Sequence, residues 1–139
     1  MFVNLSNHPC YSFEEIDGCV VKVQKWEFPQ YQAASVYGEV VDLTFPDIPP
    51  IWTTEEVEML AVEYLIQLKE IKENATDDMF VVHLSGEIIF CFLLAQMLQN
   101  EGIVVVAATT IRIAEEKNGE KKSKFEFCQF RPYRIIKKK

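Results

Sequence analysis

The side chains of this 139-residue chain best suited to chemistry are two histidines, a few hydroxyls and two isolated arginines, each close to the end of an apolar run. Ser6-Asn7-His8 follows the first run, Pro46-Asp47 the second, Ser85-Gly86-Glu87 the third and Thr109-Thr110-Ile111-Arg112 the fourth. A glycine beside a helix start lets a ligand reach backbone N–H groups that favour an anion, so Gly86 points to an anion. Glu87 in the same turn opposes an anion and favours a hydroxyl. His8, at a strand end and before Pro9, is a better acid or base than His83, which lies inside an apolar run where a histidine usually just finds a hydrogen-bond partner. Every one of these residues also has a plain reading. Ser6, Asn7 and Ser85 are ordinary caps and turn formers, His8 is an exposed loop residue, and Glu87 favours its helix N-terminus. Arg112 and Arg131 stand beside apolar strands, where a cation needs a partner. A carboxylate such as Glu87 or Asp42 meets that need, and so does a substrate phosphate.

Several chemistries lack their motifs. There is no phosphate-binding P-loop, no G-x-G-x-x-G and no G-x-S-x-G elbow. The two histidines and four cysteines are not spaced as metal ligands, so neither a metal nor another cofactor is expected. Catalysis, if present, is metal-independent or rests on a carboxylate.

These residues need a scaffold, and the chain has the composition for one. It is 49% hydrophobic and 25% charged, the balance of a single soluble domain that buries its own core. The net charge of −7 is unevenly spread: residues 1–120 carry 6 basic and 20 acidic side chains, residues 121–139 8 basic and 1 acidic. An acidic body argues against a groove for long nucleic acid, whose binding depends on neutralising phosphates. Cysteines without a C-x-x-C pair suit a reduced, cytoplasmic setting. The opening residues are too short an apolar run for an export signal, and no run is long enough to span a bilayer, so no membrane contact is expected.

The patterning predicts a buried strand over Phe2 to Leu5, a turn at Asp17-Gly18, a short helix opened by Pro29 and closed by Gly38, and a strand over Glu39 to Phe45. An amphipathic helix starts at Thr53-Thr54-Glu55-Glu56, its stripe running through Val57, Leu60, Ala61, Tyr64, Leu65, Leu68 and Ile71. A buried strand over Met79 to Leu84, an apolar helix over Ile88 to Gln99 and another buried strand over Ile103 to Ala108 follow. Asn118-Gly119 between alternating segments marks a C-terminal β-hairpin. This order predicts an α/β class domain: a three-layer Rossmann-like fold with a mainly parallel sheet over residues 1–136, and a basic tail at 137–139. In such sheets ligands bind beyond the carboxyl ends of the strands, which selects the four segments above.

Phe2-Val3-Asn4-Leu5-Ser6-Asn7-His8-Pro9, Tyr37-Gly38-Glu39-Val40-Val41-Asp42-Leu43, His83-Leu84-Ser85-Gly86-Glu87, Ala107-Ala108-Thr109-Thr110-Ile111-Arg112 and the segment from Phe125 to Tyr133 together resemble small CRISPR-associated proteins with a Rossmann-like, CARF-type domain. Some of that group are ring nucleases. Residues 10–27 look like an insertion relative to the pattern, and Ile88-Ile89 replace a more polar helix start. The resemblance implies a homodimer binding a cyclic oligoadenylate, cyclic tetra-adenylate above all, in antiviral signalling, with metal-independent cleavage by a ribose 2′-OH. It implies that Ser6, Asn7 and His8 contact ribose or phosphate, with His8 as acid or base. Ser85 and the Gly86 backbone then hold a phosphate, Thr109, Thr110 and Arg112 complete the cradle, and Arg131 supports it from the hairpin. Two other readings stay open: a non-catalytic sensor of the same ring, and a nucleoside-processing transferase or hydrolase that uses Glu87.

Overall fold

A computed structural model describes residues 1–136. The elements run β1 (Phe2–Ser6), β2 (Tyr11–Ile16), β3 (Cys19–Gln24), α1 (Phe28–Ser35), β4 (Val40–Asp42), α2 (Thr54–Asn74), β5 (Val81–Ser85), α3 (Ile88–Asn100), β6 (Val104–Lys117) and β7 (Glu120–Pro132). Five strands form one sheet in the order β4-β1-β5-β6-β7, parallel except for the β6–β7 hairpin. This is the predicted α/β architecture. Strand order reverses between β1 and β5, because the chain first moves outward to β4 and then returns to the other side of β1. The basic tail assigned to residues 137–139 lies outside the described residues.

The layers follow from alternation along β1. Val3 and Leu5 face one side, where they pack with Val82, Leu84 and Val105 beneath α2 and α3. Phe2 faces the other side with Val81, Val106 and Trp26, covered by Ala34 of α1. A reciprocal box starts α2: the Thr53 hydroxyl accepts from Glu56 N (3.3 Å) and the Glu56 carboxylate faces Thr53 N (3.4 Å). The α2 stripe is carried by buried Val57, Ala61 and Leu68. Five buried residues of α3, Phe90, Cys91, Leu94, Ala95 and Leu98, explain its apolar composition, since it is wedged between α2 and the sheet.

Three segments differ from their sequence reading. The strand expected over residues 39–45 is only Val40–Asp42: after Leu43 donates to the Asn4 carbonyl (2.9 Å) the chain leaves the edge toward Pro46, which cannot donate to a ladder. The helix opened by Pro29 ends at Ser35, before Gly38. The buried strand at 103–108 and the alternating residues after it are one 14-residue strand, whose outer half forms a two-stranded arm with β7. The arm turns at Asn118 (φ 56°) and Gly119 (φ 77°), the left-handed pair that a two-residue hairpin requires. Residues 10–27 form a separate hairpin, β2–β3, turning at the expected Asp17-Gly18. Among the described residues no helix is long and apolar enough to cross a membrane.

Candidate functional site

The register of the parallel strands sets three polar residues side by side. Asn4 of β1 pairs with Asp42 of β4 on one side and with His83 of β5 on the other. Asn4 Nδ2 donates to Asp42 Oδ1 (2.9 Å) and to the His8 carbonyl (3.0 Å). Its Oδ1 lies 2.8 Å from His83 Nδ1 and accepts from Ser6 Oγ, also at 2.8 Å. Because that amide oxygen can only accept, His83 carries its proton on Nδ1. His83 Nε2 is then a lone pair without a hydrogen-bond partner, surrounded by Phe2, Trp26 and Phe130 at ring distances of 6.1, 5.7 and 5.3 Å. Burial, and secondarily the nearby His8, pushes the His83 pKa down to about 4.

The same network anchors the β2–β3 hairpin. Asp42 Oδ1 accepts from Cys10 N (2.9 Å) and Oδ2 from Tyr11 N (3.0 Å), while Trp26 Nε1 donates to the His8 carbonyl (3.0 Å). The hairpin thus stands at the carboxyl edge of the sheet and closes a cleft of about 420 Å³. Its lining includes Ser6, Asn7, Tyr11, Phe13, Asp42 and Phe45. Burial raises the Cys10 thiol to about 12, with Asp42 adding to the effect, and raises Cys91 likewise. Neither is a thiolate nucleophile at neutral pH. All four cysteines are free.

Along the edge, Ser6 and Ser85 are register partners at the point where strand order reverses. The Ser6 hydroxyl is buried and committed to Asn4, whereas Asn7, His8 and Ser85 are exposed. Gly86 is explained by packing: a Cβ there would collide with the Phe45 ring, so the close approach of that ring requires glycine. The Glu87 carboxylate caps α3, accepting from Ile89 N (3.2 Å) and Phe90 N (2.7 Å). It therefore fills the helix N-terminus that an anion was expected to use. Thr109 and Arg131 line a second hollow of about 300 Å³ together with Tyr133, whose hydroxyl donates to the Leu84 carbonyl (3.0 Å).

Thr110 and Arg112 do not join this edge. A bulge between Thr109 and Thr110 leaves Cys128 unpaired, and beyond it the arm is largely exposed, with Ile113, Glu126 and Phe127 half-buried. At about 3.3 Å per residue, Arg112 stands about 20 Å past Val106, the last residue of β6 paired with β5. Its partner is neither a carboxylate nor a phosphate but Ser123 Oγ, at 3.1 Å from Nε and 2.8 Å from Nη2. Among the described residues no group of three or more His, Cys, Asp or Glu side chains is placed to hold a metal ion.

Asn4, Asp42 and His83, none of them among the site residues expected from the sequence, form the centre of the network. The available signal was the lone polar residue in each of the two strands that read as buried, Asn4 and His83, with Asp42 one of several polar residues in the strand read over 39–45. Its meaning depended on register, which a sequence without pairing information does not disclose.

A family model described as Uncharacterized protein MJ1673 family matches residues 1–131. Neither a curated protein nor a solved structure matches the chain. The matched span takes in both hairpins, all three helices and the whole polar row, and the chain belongs to the MJ1673 family.

Proposed function

We propose that the carboxyl edge of the sheet binds a cyclic oligoadenylate, cyclic tetra-adenylate first among them, and cleaves it without metal, in a homodimer whose two-fold axis matches the ring. The observation that carries this reading is the register pairing of Ser6 with Ser85 at the reversal of strand order, flanked by the exposed Asn7 and His8. In an acidic chain, a compact ligand held by a few local donors is favoured over a long polyanion.

In the proposed reaction a ribose 2′-oxygen gives up its proton and attacks the adjoining phosphorus. An O2′–P bond forms, the P–O5′ bond breaks, and a proton is delivered to the leaving 5′-oxygen, giving a 2′,3′-cyclic phosphate. The protein's share is to align oxygen, phosphorus and leaving group and to stabilise developing charge. His8 is the acid or base within reach of the edge, Ser85 a donor to phosphate, and Thr109 with Arg131 supports the side toward β7. Arg112 stands about 13 Å along the arm past the level of Ser85, its guanidinium held by Ser123, and contributes no group to the Ser6–Ser85 edge within this chain.

The Glu87-based reading is weakened by the two backbone N–H groups that already occupy its carboxylate. The sensor reading is favoured by one observation: the His8 imidazole makes no hydrogen bond that would fix its orientation among the described residues. Incubation of purified protein with cyclic tetra-adenylate in a chelator, followed by product analysis, tests the proposal. Linear products with 2′,3′-cyclic phosphate ends are expected, with loss of turnover but not of binding in His8→Ala. Binding without turnover selects the sensor, and absence of both overturns the proposal.

A further inference from the structure

The cleft between the β2–β3 hairpin and β4 has walls of one kind and a floor of another. Tyr11, Phe13 and Phe45 supply aromatic surface, while Asn7 and Asp42 supply polar edges. Tyr11 and Phe45 are already engaged. Lys22 Nζ lies 3.9 Å from the centre of the Tyr11 ring and the Tyr11 hydroxyl donates to Tyr31 (3.4 Å), while Phe45 meets Phe90 edge-on at 5.3 Å. Phe13 is different: it is 73% exposed at the mouth of the cleft, an apolar ring face left in water beside polar groups. On the floor, Asp42 Oδ1 accepts two hydrogen bonds but Oδ2 accepts only one, from Tyr11 N. A carboxylate oxygen has room for two, so Oδ2 keeps one acceptor position.

We infer that this cleft is a slot for a single purine nucleoside, its base stacked on Phe13 and an N–H donor of the base edge bonded to Asp42 Oδ2, with the Asn7 amide serving a second polar edge. A flat heterocycle fits aromatic walls because stacking is tolerant of the base while the edge groups select it. The Asp42 carboxylate disfavours a phosphate inside the cleft, so the sugar-phosphate side must face outward, toward the exposed Ser85. At about 420 Å³ the cleft lies at the small end of the range of ligand pockets, enough for one nucleoside and too small for an entire ring of four. The hairpin that supplies Tyr11 and Phe13 is the segment 10–27. As the seat of one base of a cyclic oligoadenylate the slot rests on the reading above, whereas as a slot for a purine nucleoside it is tested independently.

The experiment is an NMR titration of the full chain with adenosine and, separately, with cyclic tetra-adenylate, in the wild type, Phe13→Ala and Phe13→Trp. Adenosine is expected to shift the signals of Asn7, Tyr11 and Thr44. Phe13→Ala should weaken it by roughly five- to 150-fold, the span of a lost base stack, and Phe13→Trp should restore binding. Because Phe13 is largely exposed, both variants should keep the wild-type unfolding midpoint. No shift at the cleft with adenosine, or shifts indifferent to Phe13→Ala, overturns the slot. Phe13-dependent adenosine binding without any binding of the ring leaves the slot standing and removes the cyclic oligoadenylate reading. Ring binding that is equal in wild type and Phe13→Ala, with adenosine silent, does the reverse.

Discussion

The sheet face beneath α2 and α3 is apolar from Val3 through Val82 and Leu84 to Val105, whereas the face beneath α1 and the β2–β3 hairpin sets Asn4, Ser6 and His83 among Phe2, Trp26 and Phe130. Apart from the half-buried Phe130, both faces are buried at these positions, so both gain from removing apolar surface from water. They differ in what they tolerate. An apolar face accepts substitutions of similar volume at modest cost, because dispersion and transfer are not directional. A buried polar row is directional: each donor must meet its acceptor, and one lost partner strands the others. The polar face also does something the apolar face does not. Through Asp42 and the His8 carbonyl it fixes the hairpin that forms one wall of the cleft.

The sharpest way to break this asymmetry is Asn4→Ala. The substitution strands His83 Nδ1–H and removes donors from Asp42 and the His8 carbonyl in one step. At about 1–3 kcal/mol for each stranded group, the expected loss of stability is about 4 kcal/mol by urea unfolding. Hydrogen exchange should show early release of β2–β3, with α2 and α3 still protected. On the other face Leu94→Ala, at a fully buried α3 position, should cost about 3 kcal/mol through transfer and cavity terms. It should leave exchange in the hairpin unchanged relative to global stability. Equal hairpin release in the two variants would erase the distinction between the faces.

A third test uses pH. With the folded His83 pKa at about 4 against an ordinary value of 6.5, the unfolded chain binds the proton first as pH falls. Stability is therefore complete above pH 6.5 and declines as pH drops from 6.5 toward 4. Between pH 7 and 5 the decline should be about 2 kcal/mol, at 1.36 kcal/mol per unit. His83→Gln should flatten this slope in urea titrations at the two pH values. A slope unchanged by the substitution would show that His83 is not held neutral by its aromatic surroundings.

Structure set by local signals was the legible part. Helical spacing from Val57 to Ile71, the continuous apolar run before Ser85 and Asn118-Gly119 each name a local structure by a local rule, and all three were realised. The polar face was legible only in pieces. Its place in an apolar run marks His83 as a core histidine that finds a partner, and on Nδ1 it does, but that the partner is Asn4 depends on β1 lying between β4 and β5. Arg112 departs from expectation for the reverse reason: its position after an apolar run resembles a strand end, yet β6 continues as a two-stranded arm and carries it away from the sheet. Propensity describes where a strand is favoured, and the neighbours available for pairing decide where the shared edge ends.

The smallest expected effect separates the faces at the edge itself. Glu87 caps α3 on the apolar side and carries no part of the polar row, so Glu87→Ala should cost about 1 kcal/mol, the usual value of a lost cap. Glu87→Gln keeps an acceptor for Phe90 N and should cost less. Neither variant should alter the pH slope assigned to His83 or the protection of β2–β3, and ring cleavage should persist in Glu87→Gln. If cleavage is instead lost while the unfolding midpoint stays within the cost of a cap, the carboxylate acts on substrate, and the nucleoside-processing reading displaces the ring nuclease.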